Sequence, residues 1–171
     1  MDYESGMLFT DGLPSQDIGY RGASAAAAAG ISYRQLDYWD RTGLVIPSIQ
    51  TATGSGSQRL YSFRDILVLK LVKRLLDTGV SLQQIRLAVD QLRASGILDL
   101  TNTTLMSDGA RVYLCTTQDE VMDLLGRGQG VFGIAVGRVL REVEASLVNM
   151  KENHIDDLDE LAARRQVRKA V

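Results

Sequence analysis

Apolar residues recur at helical spacing along most of this chain, and the densest run lies in its middle. Ile66, Leu67, Leu69, Leu71, Val72, Leu75 and Leu76 predict a core helix that opens near Ser62, with Asp65 as its approximate cap, and ends at Gly79. Leu82, Ile85, Val89 and Leu92 predict the buried stripe of a following helix, opened by Ser81-x-x-Gln84 and ended by Gly96. Upstream, the run ASAAAAA has very high helix propensity, so a helix starts near Ala23 and Gly30 stops it. Ser32-x-x-Gln35 is a capping-box pattern that starts a second helix, and Gly43 ends it at the C′ position. Helix, tight turn and helix therefore fill residues 23–42, a helix-turn-helix signal.

The pattern changes over residues 44–61. LVIPSIQ and SQRLY are extended-type runs, and TATGSGS between them is turn-rich, which predicts a two-stranded edge hairpin. Pro47 suits an edge because it cannot donate to a central ladder. Further on, residues 103–107 and 111–116 predict a hairpin around Ser107-Asp108-Gly109. Thr117-x-x-Glu120 opens a helix to about Leu125, and GRGQGVFGIAV reads as a glycine-rich loop running into a strand. A last helix spans roughly 136–150. Its apolar residues Val136, Leu140, Val143, Leu147 and Met150 fall at spacings of four and three, a seam suited to a partner helix. The fold class expected is mainly α with small β elements. The expected division is a flexible tail at 1–19, a winged helix-turn-helix unit at 20–94, a small α+β unit at 97–150 and a polar tail at 151–171, which includes RRQVRKA.

Composition alters this picture mainly through charge. The net charge is −2 over 171 residues, which by itself argues against a nucleic-acid binder. Divided along the chain, residues 1–19 carry four acids and no bases, residues 20–94 carry ten bases against five acids, and residues 95–171 carry nine against twelve. The predicted winged unit is thus basic between acidic flanks and can attract phosphate locally. The single cysteine, Cys115, excludes an internal disulfide framework and a cysteine-rich metal cluster. Neither a secretory leader nor an apolar run of about eighteen residues is evident, so a cytoplasmic protein without a membrane span is expected. Cys115 and His154 lack a metal-ligand set, and no nucleophile–base–orienter group is visible. No enzyme activity and no cofactor are expected. Gly128-x-Gly130-x-x-Gly133 formally matches GxGxxG, but it follows a predicted helix with no βαβ unit around it, so turn and packing roles explain it better.

The runs GISYRQLDYWDRTGLV at 30–45, QRLYSFRDI at 58–66 and LLDTGVSLQQI at 75–85 together resemble the MerR family of bacterial transcription regulators. The family pattern is a recognition helix, a wing ending in R-x-Y and a helix pair around G-x-S-L-x-x-I. The whole chain, including TLMSDG and GQGVFGIAV, is similar to an actinobacterial subgroup linked with growth and cell division. The resemblance implies a homodimeric, gene-specific regulator, with double-stranded DNA and RNA polymerase at the promoter as partners. It also implies that Arg59 and Tyr61 on the wing touch the phosphate backbone. Tyr61 can instead pack the wing onto the core. Ser32, Tyr33, Arg34, Gln35 and Tyr38 begin the recognition helix, where side chains reach base edges. Arginine favours guanine and glutamine can pair with adenine, although Ser32 and Gln35 can simply cap the helix. Arg64 is a further phosphate candidate, and Lys70, Lys73 and Arg74 read as a solvated face.

Asp37 departs from the family, which often has a basic residue there. It can turn aside to pair with Arg34 or Arg41, or accept a bond from cytosine. The leading expectation is a sequence-specific regulator on pseudo-palindromic promoter sites. The alternatives are an architectural, excisionase-like DNA-binding factor and a protein-interaction adaptor.

Overall fold

Side-chain caps from Ser32, Ser62, Ser81 and Thr117 decide where four helices begin. In the computed structural model, which describes residues 9–10, 13–14, 17–51, 58–128 and 130–150, Ser32 caps α2 (Tyr33–Arg41). Its hydroxyl accepts from the Gln35 amide at 3.1 Å, and its own amide donates to Gln35 Oε1 at 3.1 Å. Ser62 and Asp65 form the same reciprocal box at the start of α3 (Phe63–Asp77). Ser81 opens α4 (Leu82–Ala94), and Thr117 opens α6 (Gln118–Gly126). The preceding helix α1 (Gly22–Ala29) ends where Gly30 turns left-handed at φ 73°, a backbone state that costs glycine little.

Two expected boundaries move. Gly96 does not end α4. The helix stops at Ser95, and Gly96, with φ −65°, is the residue from which the short helix α5 (Ile97–Thr101) starts. Leu82 is 50% exposed and so lies off the buried stripe, which is made by Ile85, Ala88, Val89 and Leu92.

The helix-turn-helix expectation is realised by α1 and α2, which pack closely. A Cβ at Gly22 would lie 3.0 Å from the Tyr33 ring and 3.3 Å from Leu36. Leu36 and Trp39 bury the inner face of α2. Nine of the fifteen residues of α3 are buried, which makes it the helix around which α1 and α4 assemble.

The wing differs from a simple hairpin. LVIPSIQ forms no strand of its own, and only Gln50 bridges to Leu60. The ladder partner of β4 (Leu60–Tyr61) is β3 (Tyr20–Arg21), which precedes α1; Tyr20 faces Tyr61 and Arg21 faces Leu60. The TATGSGS loop lies largely outside the described residues. Within the segment read as a tail, β1 (Phe9–Thr10) pairs with β2 (Leu13–Pro14).

Beyond α5, β5 (Thr104–Ser107), β6 (Val112–Cys115) and β7 (Phe132–Ala135) form an antiparallel sheet in the order β6-β5-β7. The hairpin turn falls where expected. Asp108 Oδ1 accepts from the amides of Ala110 and Arg111, and Gly109 has φ 90°. The last helix, α7 (136–150), then returns across the molecule. Val136, Leu140, Val143 and Leu147 are buried in the same continuous core as α1–α4, with Met150 packed against it. The seam expected to receive a partner helix is therefore filled by the chain's own core. That burial is worth about 1.5–3 kcal/mol per large side chain.

Candidate nucleic-acid interface

The capping box fixes the azimuth of α2. With Leu36 and Trp39 turned inward, residues 34, 37, 38 and 41 share the opposite face, at spacings of three, four and seven. Tyr33 and Tyr38 are 56% and 62% exposed. Arg34 is exposed and has no ion-pair partner among the described residues. Exposed Tyr38 on this face, with exposed Tyr33 at its flank beside Gly22, gives flat aromatic surface next to a cation unpaired among the described residues.

Ser32 is exposed and Gln35 half-buried, and the two are bonded to each other. The Gln35 carbonyl oxygen is engaged in the box, which leaves its amide nitrogen as the group able to donate outward.

The wing residues sit differently from expectation. Tyr61 is fully buried in the main core, so it lines no surface that a phosphate could touch. Its hydroxyl is buried with no hydrogen-bond partner among the described residues. Burial, and then the nearby Asp40 carboxylate, push its pKa well above the ordinary phenol value. The packing alternative for Tyr61 is the arrangement observed. Sequence could not separate it from the contact role, because a tyrosine before a helix serves both.

Arg59 is only 14% exposed through its side chain. Its Nη2 donates to Asp37 Oδ1 at 2.5 Å, and its Nε lies 2.7 Å from Asp40 Oδ2. The outward surface of the wing is therefore not where this guanidinium points. Burial opposes its charge, but the Asp37 bond and the field of Asp40 outweigh that and hold it more firmly protonated than usual. Asp37 in turn binds Arg41, whose Nη2 is 2.5 Å from Asp37 Oδ2. The Arg59 bond, followed by the charge of Arg41, draws the Asp37 pKa below its ordinary 3.8. Of the two partners expected for Asp37, Arg41 is taken and Arg34 is not.

Arg64 lies beside a polar cleft lined by Ser48, Ser62, Asp65 and Arg93. It donates to the Arg93 carbonyl oxygen at 3.2 Å, which ties α3 to the end of α4. Asp65 is the organiser of this cleft. Its Oδ2 accepts from the Ser48 amide at 2.8 Å, the Ser48 hydroxyl at 2.7 Å and the Ser62 amide at 2.9 Å. The capping motif announced the Ser62 bond, but the Ser48 bonds depend on how residues 44–50 fold back.

The third-helix bases are not all a solvated face. Arg74 Nη2 donates to Glu142 Oε2 at 2.6 Å, and Lys70 lies 3.3 Å from the same oxygen, so both meet α7. Lys73 pairs along its own helix with Asp77 at 2.8 Å. Nothing in the local sequence indicates Glu142 as their partner.

Among the described residues no group of three His, Cys, Asp or Glu side chains could hold a metal ion, and His154 lies outside them. Cys115 is buried, and burial raises its thiol pKa. Among the described residues no helix is long and apolar enough to cross a membrane.

Residues 20–92 match the family described as MerR HTH family regulatory protein. The chain is 56% identical over 172 residues to an uncharacterized HTH-type transcriptional regulator of Mycobacterium tuberculosis, covering 96% of this chain and 76% of that protein. A counterpart in Mycobacterium bovis matches equally, at 56% identity over the same shares of each chain. A heavy metal-dependent transcription regulator of Rhizobium meliloti is 34% identical over 65 residues, covering 38% of this chain and 42% of that protein. The crystal structure of HiNmlR, a MerR family regulator lacking the sensor domain and bound to promoter DNA, matches at a TM-score of 0.37 and 21% identity, covering 90% of this chain and 95% of that chain.

Proposed function

The chain belongs to the MerR HTH family of regulatory proteins, and on that premise we propose that it is a sequence-specific DNA-binding transcriptional regulator that reads duplex DNA through α2. One observation supports this choice of surface above the others. The outward face of α2 carries exposed Tyr38 beside Arg34, a cation with no ion-pair partner among the described residues, and exposed Tyr33 flanks it. The helix is short, and Ser32, Tyr33 and Arg34 at its N-terminus are exposed among the described residues, which suits insertion into a major groove. Arg34 and Gln35 would read base edges, Ser32 would fix the helix start, and Tyr33 and Tyr38 would flank the backbone. Arg59 and Tyr61 serve this surface by holding the wing against α2, and Arg64 by bracing α3.

We extend the reading to a cytoplasmic homodimer that occupies pseudo-palindromic promoter sites in the presence of RNA polymerase, with targets in growth and cell division. The support is the family's general plan; the seam of α7 is not the pairing surface.

The test is binding of the full chain to a pool of random duplexes, followed by Arg34→Ala on the selected site. Loss of about 1–3 kcal/mol with relaxed preference at one base pair is expected. Equal binding by the variant to selected and scrambled duplexes at wild-type strength would remove α2 from the reading.

A further inference from the structure

We infer that Asp37 is a specificity-determining residue that acts by withholding positive charge from DNA phosphates. The inference rests on the proposed reading of α2 as the DNA-facing helix.

Asp37 occupies the middle of the outward stripe formed by Arg34, Asp37, Tyr38 and Arg41. Its two carboxylate oxygens are spent on two different arginines. Oδ1 accepts from Arg59 of the wing, and Oδ2 pairs with Arg41 one turn further along the helix. Asp40 completes the cluster through Arg59 Nε. Two guanidiniums and two carboxylates leave no net charge where helix and wing meet. Arg41 is still 73% exposed, so its position is compatible with a backbone contact; what it lacks is uncompensated charge. Arg34 is left as the stripe's cation without an ion-pair partner among the described residues.

Phosphate contacts supply affinity without sequence information, because each one releases counterions from any duplex alike. Neutralising the exposed Arg41, with Arg59 already turned inward, lowers background binding more than it lowers binding at a site where Arg34 and Gln35 also find their bases. The ratio of specific to non-specific affinity, the quantity that matters against a genome of competing sites, rises. A basic side chain at position 37 would do the reverse, adding its own charge and releasing Arg41, while Arg59 would keep Asp40.

The experiment compares the full-length wild type with Asp37→Asn, Arg41→Gln and the double variant. Each is titrated against a scrambled duplex and against the selected site over a range of sodium chloride. For Asp37→Asn, scrambled-duplex affinity should rise about three-fold or more at low salt, and the salt slope should steepen by about one. The specificity ratio should fall. Adding Arg41→Gln should take that gain back, whereas Arg41→Gln alone should barely alter the wild-type slope. Thermal unfolding of each variant separates a folding defect from a binding change. If Asp37→Asn is not folded, Arg41→Gln alone decides. A slope reduced by a full unit would mean that Arg41 already contacts phosphate, and would overturn the inference. So would an Asp37→Asn protein that keeps the wild-type slope but changes preference at a single base pair, the signature of direct reading by the carboxylate. Failure of the wild type to bind any duplex would sink the reading of α2 itself; wild-type binding with an unaltered variant slope would sink only the role of Asp37.

Discussion

Gly137 presses against Thr101: a Cβ atom on Gly137 would lie 3.2 Å from the Thr101 carbonyl carbon and well inside contact distance of its oxygen. Beside this point the Val136 amide donates to the Thr103 carbonyl oxygen at 3.0 Å, so the first turn of α7 is stitched to the link between α5 and β5. Backbone, unlike a side-chain tip, cannot step aside. Gly137→Ala should therefore cost about 2–4 kcal/mol in a denaturant titration. Gly126→Ala, where no described residue lies within 4 Å, should change stability by no more than about 0.5 kcal/mol. Equal effects of the two would show that the close approach is absent in solution.

Tyr61→Phe removes a hydroxyl that is buried without a partner among the described residues. An unpaired buried polar group costs about 1–3 kcal/mol, so its removal should leave stability unchanged or raise it by up to about 1 kcal/mol. DNA affinity should stay at the wild-type value. A drop in affinity with stability intact would return the hydroxyl to the phosphate-contact role.

Acid should loosen the wing. The Asp37 pKa is lowered in the folded state, chiefly by its bond from Arg59 and then by Arg41. A depressed folded pKa gives stability that is present above the unfolded value, near 3.8, and lost as pH falls through the lower folded one. Asp40, Arg41 and Arg59 are the charged groups facing it. Between pH 5 and 7 the clamp should be constant. Below pH 4 the unfolding midpoint should fall more steeply in the wild type than in Asp37→Asn. Parallel curves for the two would deny Asp37 any linked proton.

Leu140→Ala should behave as a core truncation and cost about 2–5 kcal/mol, because Leu140 is buried among the residues of the main core. Sedimentation of the variant at a concentration where it is folded should match the wild type. A selective loss of dimer with unchanged protomer stability would restore the seam to an interface.

Most helices were legible because they announce themselves locally; α5, five residues long and without a side-chain cap, was not. Ser32, Ser62, Ser81 and Thr117 carry their cap partners three residues away, and Gly30, Gly43 and Gly79 supply the left-handed stops. Pairings between distant segments were not legible. Tyr20 and Arg21 carry no sign that they lie beside Leu60 and Tyr61, since two residues are too few to show an alternation. The seam of α7 misled for the opposite reason: its spacing is correct for a packed face but does not say whose core it meets. At the candidate site the exposed face of α2 followed from Leu36 and Trp39. The fate of Arg59 depended on Asp37 and Asp40, which lie 22 and 19 positions earlier in the numbering. Only the folded chain brings those charges together.

The pairing of β3 with β4 has a practical consequence for dissecting this protein. The smallest fragment able to stand alone cannot be cut at the first helix. A version beginning at Ala23 would remove the strand that pairs with β4, leaving Tyr61 with an open edge, while Leu60 would keep its bonds to Gln50. The module is closed like a clasp by residues that precede it, and a self-sufficient excised piece must begin no later than Tyr20.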